Sequence, residues 1–120
     1  MLSAYLRDAI LDAIFNGAPF AVVGDPHISL HTADPGAVGS GEVSGGSYAR
    51  QQAPFDPASG GISNGGTIDF ADMPAATVTY VGVWDGAGNF LWGGPLGTPV
   101  TVTAGRTIRI AAGDLSATLT

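Results

Sequence analysis

The chain holds few side chains able to do chemistry. Asp25, His27 and His31 form its one metal-like cluster. Two histidines at i and i+4 share a face on a helix and reach a single ion. Here the segment alternates apolar and polar residues, which predicts a strand, and on a strand His27 and His31 stand about 13 Å apart. One ion then reaches both only if the chain bends sharply at Pro26. Otherwise they are two strand histidines, each hydrogen-bonded or exposed. Asp69, Asp72 and Asp85 are the carboxylates to weigh for acid–base work. Glycoside hydrolysis needs two carboxyls facing each other across a cleft, and no spacing here requires that. Turn and cap positions, where Asp bonds local backbone, account for all three. A serine nucleophile lacks its Gly-x-Ser-x-Gly elbow. Ser44-Gly45-Gly46-Ser47 shares only its glycine content with a phosphate cradle, since it has no lysine and opens no helix.

The aromatic residues say more. Tyr80, Trp84, Phe90 and Trp92 fall around one hairpin. Exposed, they make a stacking platform for sugars, with Asp85 and Asn89 as polar partners; buried, they are core. Alternation favours burial for most, and leaves Trp84 and Trp92, at strand ends, as the exceptions suited to a subunit interface. Arg50, in Ser47-Tyr48-Ala49-Arg50-Gln51, follows a long Gly- and Ser-rich loop. It can pair with Glu42, the only Glu, or with a nearby Asp, and so clip the loop to the sheet. The alternative is a solvated strand arginine.

Composition narrows the classes further. The 120 residues include no Cys, which excludes disulfides, zinc–thiolate sites, iron–sulfur clusters and cysteine nucleophiles. There is no lysine, the four arginines (Arg7, Arg50, Arg106, Arg109) are scattered, and the net charge is −6. Such a surface repels nucleic acid and anionic membranes. Only 12% of residues are charged while 45% are apolar. That is too apolar for disorder, and a small domain cannot hide all of it, so part of the apolar surface is expected to be buried against other chains. From Met1 to Phe15 there is no basic start, and Arg7, Asp8 and Asp12 interrupt the apolar residues. Neither a signal peptide nor the ~20-residue run of a membrane span is expected.

The elements follow from periodicity. Leu2, Leu6, Ala9, Ile10, Ala13 and Ile14 recur at three-to-four spacing, opposite Arg7, Asp8 and Asp12, which predicts a helix capped by Ser3 and stopped by Asn16-Gly17. At about three turns it must dock to be stable. Beyond Gly17 the period changes to two. Strands are predicted at Phe20–Val23, Ile28–Ala33, Tyr48–Phe55, Thr67–Phe70, Thr77–Trp84 and Asn89–Trp92, around Val100 and Val102, at Thr107–Ile110 and at Leu115–Leu119. Asp85–Gly88 makes a hairpin loop. Residues 34–47 form a loop near the upper length for a structureless connection, hence a functional or interface-forming one; residues 57–66 form a second turn-rich stretch. Eight or nine short strands between Gly and Pro turns predict a mainly β chain, an antiparallel β-sandwich or jelly roll with one N-terminal amphipathic helix. The helix occupies residues 1–17 and a single β-sandwich domain residues 18–120.

The order of these segments is informative as a whole. The helix is followed by Ser29-Leu30-His31-Thr32-Ala33-Asp34-Pro35-Gly36, then by Glu42-Val43-Ser44-Gly45-Gly46-Ser47-Tyr48-Ala49-Arg50-Gln51, then by the Thr77–Trp84 strand running into Asp85 and by Phe90-Leu91-Trp92-Gly93-Gly94-Pro95-Leu96. Val102-Thr103-Ala104-Gly105-Arg106-Thr107 and Ala112-Gly113-Asp114-Leu115 close the chain. Over nearly its whole length the chain resembles a widespread family of small tailed-bacteriophage virion proteins, of tail-fibre-like or virion structural type. The glutamate-to-arginine segment is the most specific part. The resemblance implies a phage particle as setting and carries no catalytic residues, so no enzyme activity and no cofactor are expected.

A fibre needs a shaft of heptads or long β-repeats, and this chain has neither. A compact knob with one helix suits a capsid decoration (cement) protein on the outer surface of the head. Its expected partners are further copies of itself, as a homotrimer, and the major capsid protein lattice, with no nucleic acid and no membrane. Leu2, Leu6, Ile10, Glu42, Tyr48, Arg50, Trp84 and Trp92 are the candidates for oligomer or lattice contacts. The alternative is a tail-fibre or tail-adaptor module that binds a host-surface glycan or another tail protein.

Overall fold

A computed structural model describes residues 2–22 and 24–117. Helix α1 (Ala4–Phe15) precedes, among the described residues, eight strands: β1 (His27–His31), β2 (Gln51–Gln52), β3 (Ile62–Ser63), β4 (Ile68–Phe70), β5 (Ala76–Trp84), β6 (Phe90–Val102), β7 (Ile108–Ile110) and β8 (Ser116–Ala117). All pairings are antiparallel. Four strands form one sheet in the order β2-β1-β5-β6, and the rest form two ribbons, β3–β8 and β4–β7. The chain is thus mainly β with one helix near its N-terminus, as its periodicity implies, although the strands divide into one sheet and two ribbons rather than two equal sheets. No described helix is long and apolar enough to cross a membrane.

The core lies between the sheet and the β4–β7 ribbon. Ile28, Leu30, Val78 and Val81 come from the sheet, Ile68 and Phe70 from β4, and Val43, Met73 and Leu115 from the connections. Val78 and Val81 belong to the same core, although strict alternation along β5 puts them on opposite faces. An irregularity resolves this. Val78 pairs with Val100 and Tyr80 with Pro95, so Thr79 faces the whole segment Leu96-Gly97-Thr98-Pro99, and the inward face changes parity there. Beyond the bulge Val102 is buried, whereas Val100 is 40% exposed. β6 also runs straight through Gly93-Gly94-Pro95, where a break was expected. It is an edge strand of the four-stranded sheet, and an edge tolerates proline.

Ser3 caps α1 with its hydroxyl accepting from the Leu6 N–H at 3.0 Å, and Gly17, at φ +65°, ends it. The residues ahead of the helix moor it to the sheet. Leu2 bridges Trp92, and the Ser3 N–H donates to the Leu91 carbonyl at 2.8 Å. The Tyr5 hydroxyl then donates to the Ala21 carbonyl at 3.0 Å and holds the returning chain beside the helix. That returning segment forms no strand over residues 20–22, since it has no ladder neighbour; Val23 of the expected strand, and Thr118 and Leu119 of the expected closing strand, lie outside the described residues. Within α1 only Ala9 is buried. Ile14, expected on the docked face, is 66% exposed and lies with Leu11 and Phe15 on a second apolar stripe.

The turn-rich stretch hides an unanticipated staple. Asn64, 1% exposed, donates through Nδ2 to the carbonyls of Gly66 and Ala111 and accepts the Leu115 N–H on Oδ1, all within 2.9 Å. It therefore binds the end of β3 to the closing turn that leads into β8. Asn64→Ala leaves those backbone groups unsatisfied and should destabilise the fold by about 2–4 kcal/mol in urea unfolding, with Asn64→Asp, which keeps the acceptor, falling between.

Candidate functional site

Ser29 and His31 alternate with Ile28 and Leu30 along β1, so they leave the core for the opposite face of the sheet. Opposite Ser29 on β5 stands Gly82. A Cβ there would lie 2.5 Å from Ser29 Oγ and 2.8 Å from His31 Nε2, so the packing admits only glycine. A chain of hydrogen bonds fills the space. Trp84 Nε1–H donates to Ser29 Oγ at 2.8 Å, Ser29 Oγ lies 2.6 Å from His31 Nε2, and His31 Nδ1 lies 2.7 Å from the Ser40 carbonyl. A carbonyl can only accept, so Nδ1 carries the proton, and Nε2 accepts from the Ser29 hydroxyl. Every member is satisfied with the imidazole neutral. Burial pushes the His31 pKa below its ordinary value, and the bond to Ser40 and the charge of Glu42 only partly oppose this.

Hydroxyl, imidazole and carbonyl in sequence have the connectivity of an activated serine. Ser29 and His31 are nevertheless 0% exposed, and the serine oxygen already accepts the indole N–H. The group is a sealed structural chain. Sequence reasoning missed it because it looked for a glycine-flanked elbow, whereas the signal is two polar residues at i and i+2 within a strand whose neighbour carries a glycine.

The 34–47 segment closes over this chain and is far from structureless. The Thr32 N–H donates to Gly41 and the Val43 N–H to Leu30, at 3.0 and 2.9 Å, so the end of the segment pairs along β1, with His31 opposite Glu42. Gly39, at φ +82°, rests on the Trp84 ring, where a Cβ would come within 2.6 Å. Arg50 then locks the segment, as one sequence reading expects. Its Nη2 and Nε reach the Glu42 carboxylate at 2.8 and 3.0 Å, and the Tyr48 hydroxyl donates to the same carboxylate at 2.8 Å while accepting the Leu30 N–H. The Arg50 guanidinium also lies 3.5 Å over the Trp84 ring. Burial raises the Glu42 pKa, but the bonds from Arg50 and Tyr48 and the Arg50 charge outweigh it and hold the carboxyl below its usual range. Burial likewise pushes the Tyr48 phenol up.

Trp84 needs correction. It was expected at the surface, yet it is 9% exposed, with one face under Arg50 and an edge-to-face contact with Phe90 at 5.1 Å. Its place at a strand end suggests exposure, but the long segment folds over it. Among the interface candidates, Glu42, Tyr48, Arg50 and Trp84 thus form one internal clip. Leu2, Leu6 and Trp92 instead line an apolar cleft of about 480 Å³ with Phe55, Ile62 and Leu115, and Ile10 is half-buried on α1.

The remaining candidates are dispersed. His27 Nδ1 contacts the Asp25 carbonyl, Asp69 pairs with Arg109 across the β4–β7 ribbon, and Asp72 accepts from the Ser47 hydroxyl. Asp85 caps its hairpin by accepting the N–H groups of Ala87 and Asn89. Among the described residues, no three His, Asp or Glu side chains come together as a metal site.

Two tests follow from this geometry. Arg50→Ala removes a partly screened ion pair and a cation–π contact, so it should lower stability by about 1–2 kcal/mol, leave the core folded, and raise protease cleavage between Asp34 and Ser47. The second concerns pH. Unfolded His31 takes a proton near its ordinary value of 6.5, and folded His31 only at lower pH. Between those values the unfolded state binds more protons, so stability rises with pH and is lost on acidification below 6.5. In urea titrations from neutral pH downward, His31→Gln should be less stable than the native chain at neutral pH and should have a flatter slope.

No curated protein matches the sequence. The profile of one family, described as Podophage GP4 fiber I protein gp80, matches residues 1–118, and the chain therefore belongs to this family of phage fibre-type virion structural proteins.

Proposed function

We propose that the chain is a non-enzymatic building block of the phage fibre apparatus, a rigid β-knob that joins other virion chains, copies of itself among them, through apolar surface. The observation that carries this is the bare stripe on α1 and its return segment. Leu11, Ile14, Phe15 and Phe20 are 46%, 66%, 77% and 52% exposed in a chain of which only 12% is charged. Contiguous apolar surface of this kind marks a contact site. Polar chemistry, by contrast, is turned inward, with Ser29 and His31 sealed and Glu42 bound to Arg50. Family membership over residues 1–118 supports the fibre setting. A closed homo-oligomer, a trimer among the options, would cover the stripe. A sugar-binding role is weakened by the burial of Trp84, which removes its stacking face.

A second reading, decoration of the head, is favoured by the absence of any shaft-like element among the described residues, where α1 spans 12 residues and the longest strand 13. A net charge of −6 suits an outer surface away from DNA. On that reading the chain binds the assembled capsid lattice from outside and stabilises it by mass action.

Particles assembled without the chain separate the two. The fibre reading expects density to be missing at the tail by electron microscopy, slower adsorption to host cells, and an unchanged temperature of DNA release. Head decoration expects density missing across the capsid surface and DNA release at a lower temperature. Particles unchanged on all three counts would refute both.

A further inference from the structure

The exposed tip of the α1 arm and the apolar cleft at its base are complementary. The arm ends in Ala13-Ile14-Phe15-Asn16-Gly17-Ala18-Pro19-Phe20-Ala21-Val22, a stretch without a charged residue. The cleft also has no charged residue in its lining, which Leu2, Leu6, Phe55, Trp92 and Leu115 dominate. Its volume of about 480 Å³ is in the range that encloses a small ligand, which leaves room for two large side chains. The tip is not in its own cleft, since Phe15 is 77% exposed. α1 carries Leu6 at the cleft end and Phe15 at the other, with about 18 Å of helix between its ends.

We propose that Ile14 and Phe15 of one copy seat in the Leu2–Leu6–Trp92 cleft of a second copy. Charge selects this contact. Chains of net charge −6 repel one another over most of their surface, and these two uncharged patches let copies meet without opposing like charges. The donor and acceptor surfaces differ, so the contact is heterologous and copies join head to tail until a ring closes. Covering the tip buries roughly 400 Å² of side chain, about half of the ~800 Å² per partner of a stable interface. In a closed ring each copy gives one tip and receives another, so no single contact can part without opening the ring, and closure offsets the modest area of each. The inference rests on the reading of the chain as a multi-copy building block and names the contact that joins the copies.

The chain has no cysteine, which makes the test clean. Asn16→Cys, exposed beside Phe15 at the tip, and Ser116→Cys, in the lining of the cleft, mixed in equal amounts under mild oxidation, should form the mixed disulfide in several-fold excess over a control mixture of Asn16→Cys and Val38→Cys, Val38 being 73% exposed in the 34–47 segment. In sedimentation, native chain should self-associate, and Phe15→Glu, a change at an exposed site, should weaken that association at least about tenfold by placing a carboxylate in an apolar cleft while leaving the circular dichroism unchanged. Native chain that stays monomeric, an oligomer that Phe15→Glu leaves intact, or equal cross-linking in the two mixtures would overturn the contact. An oligomer intact in Phe15→Glu would do so while leaving the building-block reading standing. Native virions found to contain no copy of the chain would sink that reading instead.

Discussion

A neutral imidazole sealed inside the protein sets the terms for everything around it. His31 has two ring nitrogens, and each must find a partner because water cannot reach it. Ser29 supplies one and the Ser40 carbonyl the other. Ser29 in turn takes the indole N–H of Trp84. The first partner lies two residues away on the same strand, but the others come from distant parts of the chain. The polar chain is thus complete only when β1, β5 and the 34–47 segment are all in place. A half-made version would leave buried donors and acceptors unpaired, which is worse than none. This all-or-none demand makes a long glycine-rich segment behave as part of the sheet.

Sparse charge is used with the same economy. The only glutamate lies against an arginine and a tyrosine at the edge of the sealed chain, and the guanidinium covers the tryptophan that feeds it. Arg109 is tied to Asp69 on the outer ribbon. Of the acidic residues with no arginine partner, Asp85 is buried on the amide groups of its own hairpin. A knob whose polar groups satisfy one another internally has a surface that differs from place to place mainly in apolar character. That division fits the proposed role of a virion building block.

The helix shows how the same sequence serves both sides. A 12-residue helix is marginal by itself, so it depends on its mooring at Leu2 and Ser3 and on its docking beside β6. One stripe is spent on that docking. The second stripe, Leu11, Ile14 and Phe15, is 46%, 66% and 77% exposed.

Local pattern was enough to read the helix with its serine cap and glycine stop, the antiparallel β character, the Asp85 hairpin and the pairing of Arg50 with Glu42. Each depends on residues close in the chain, although for Arg50 the fold chose among Glu42, a nearby Asp and solvent. Tertiary structure alone decided the rest. The burial of Trp84, the parity change at Thr79, the role of Asn64 and the closure of Ser29 and His31 beneath Gly82 all arise from contacts between residues tens of positions apart. Sequence spacing reports which residues share a face, whereas only the folded chain reports what comes to lie over that face.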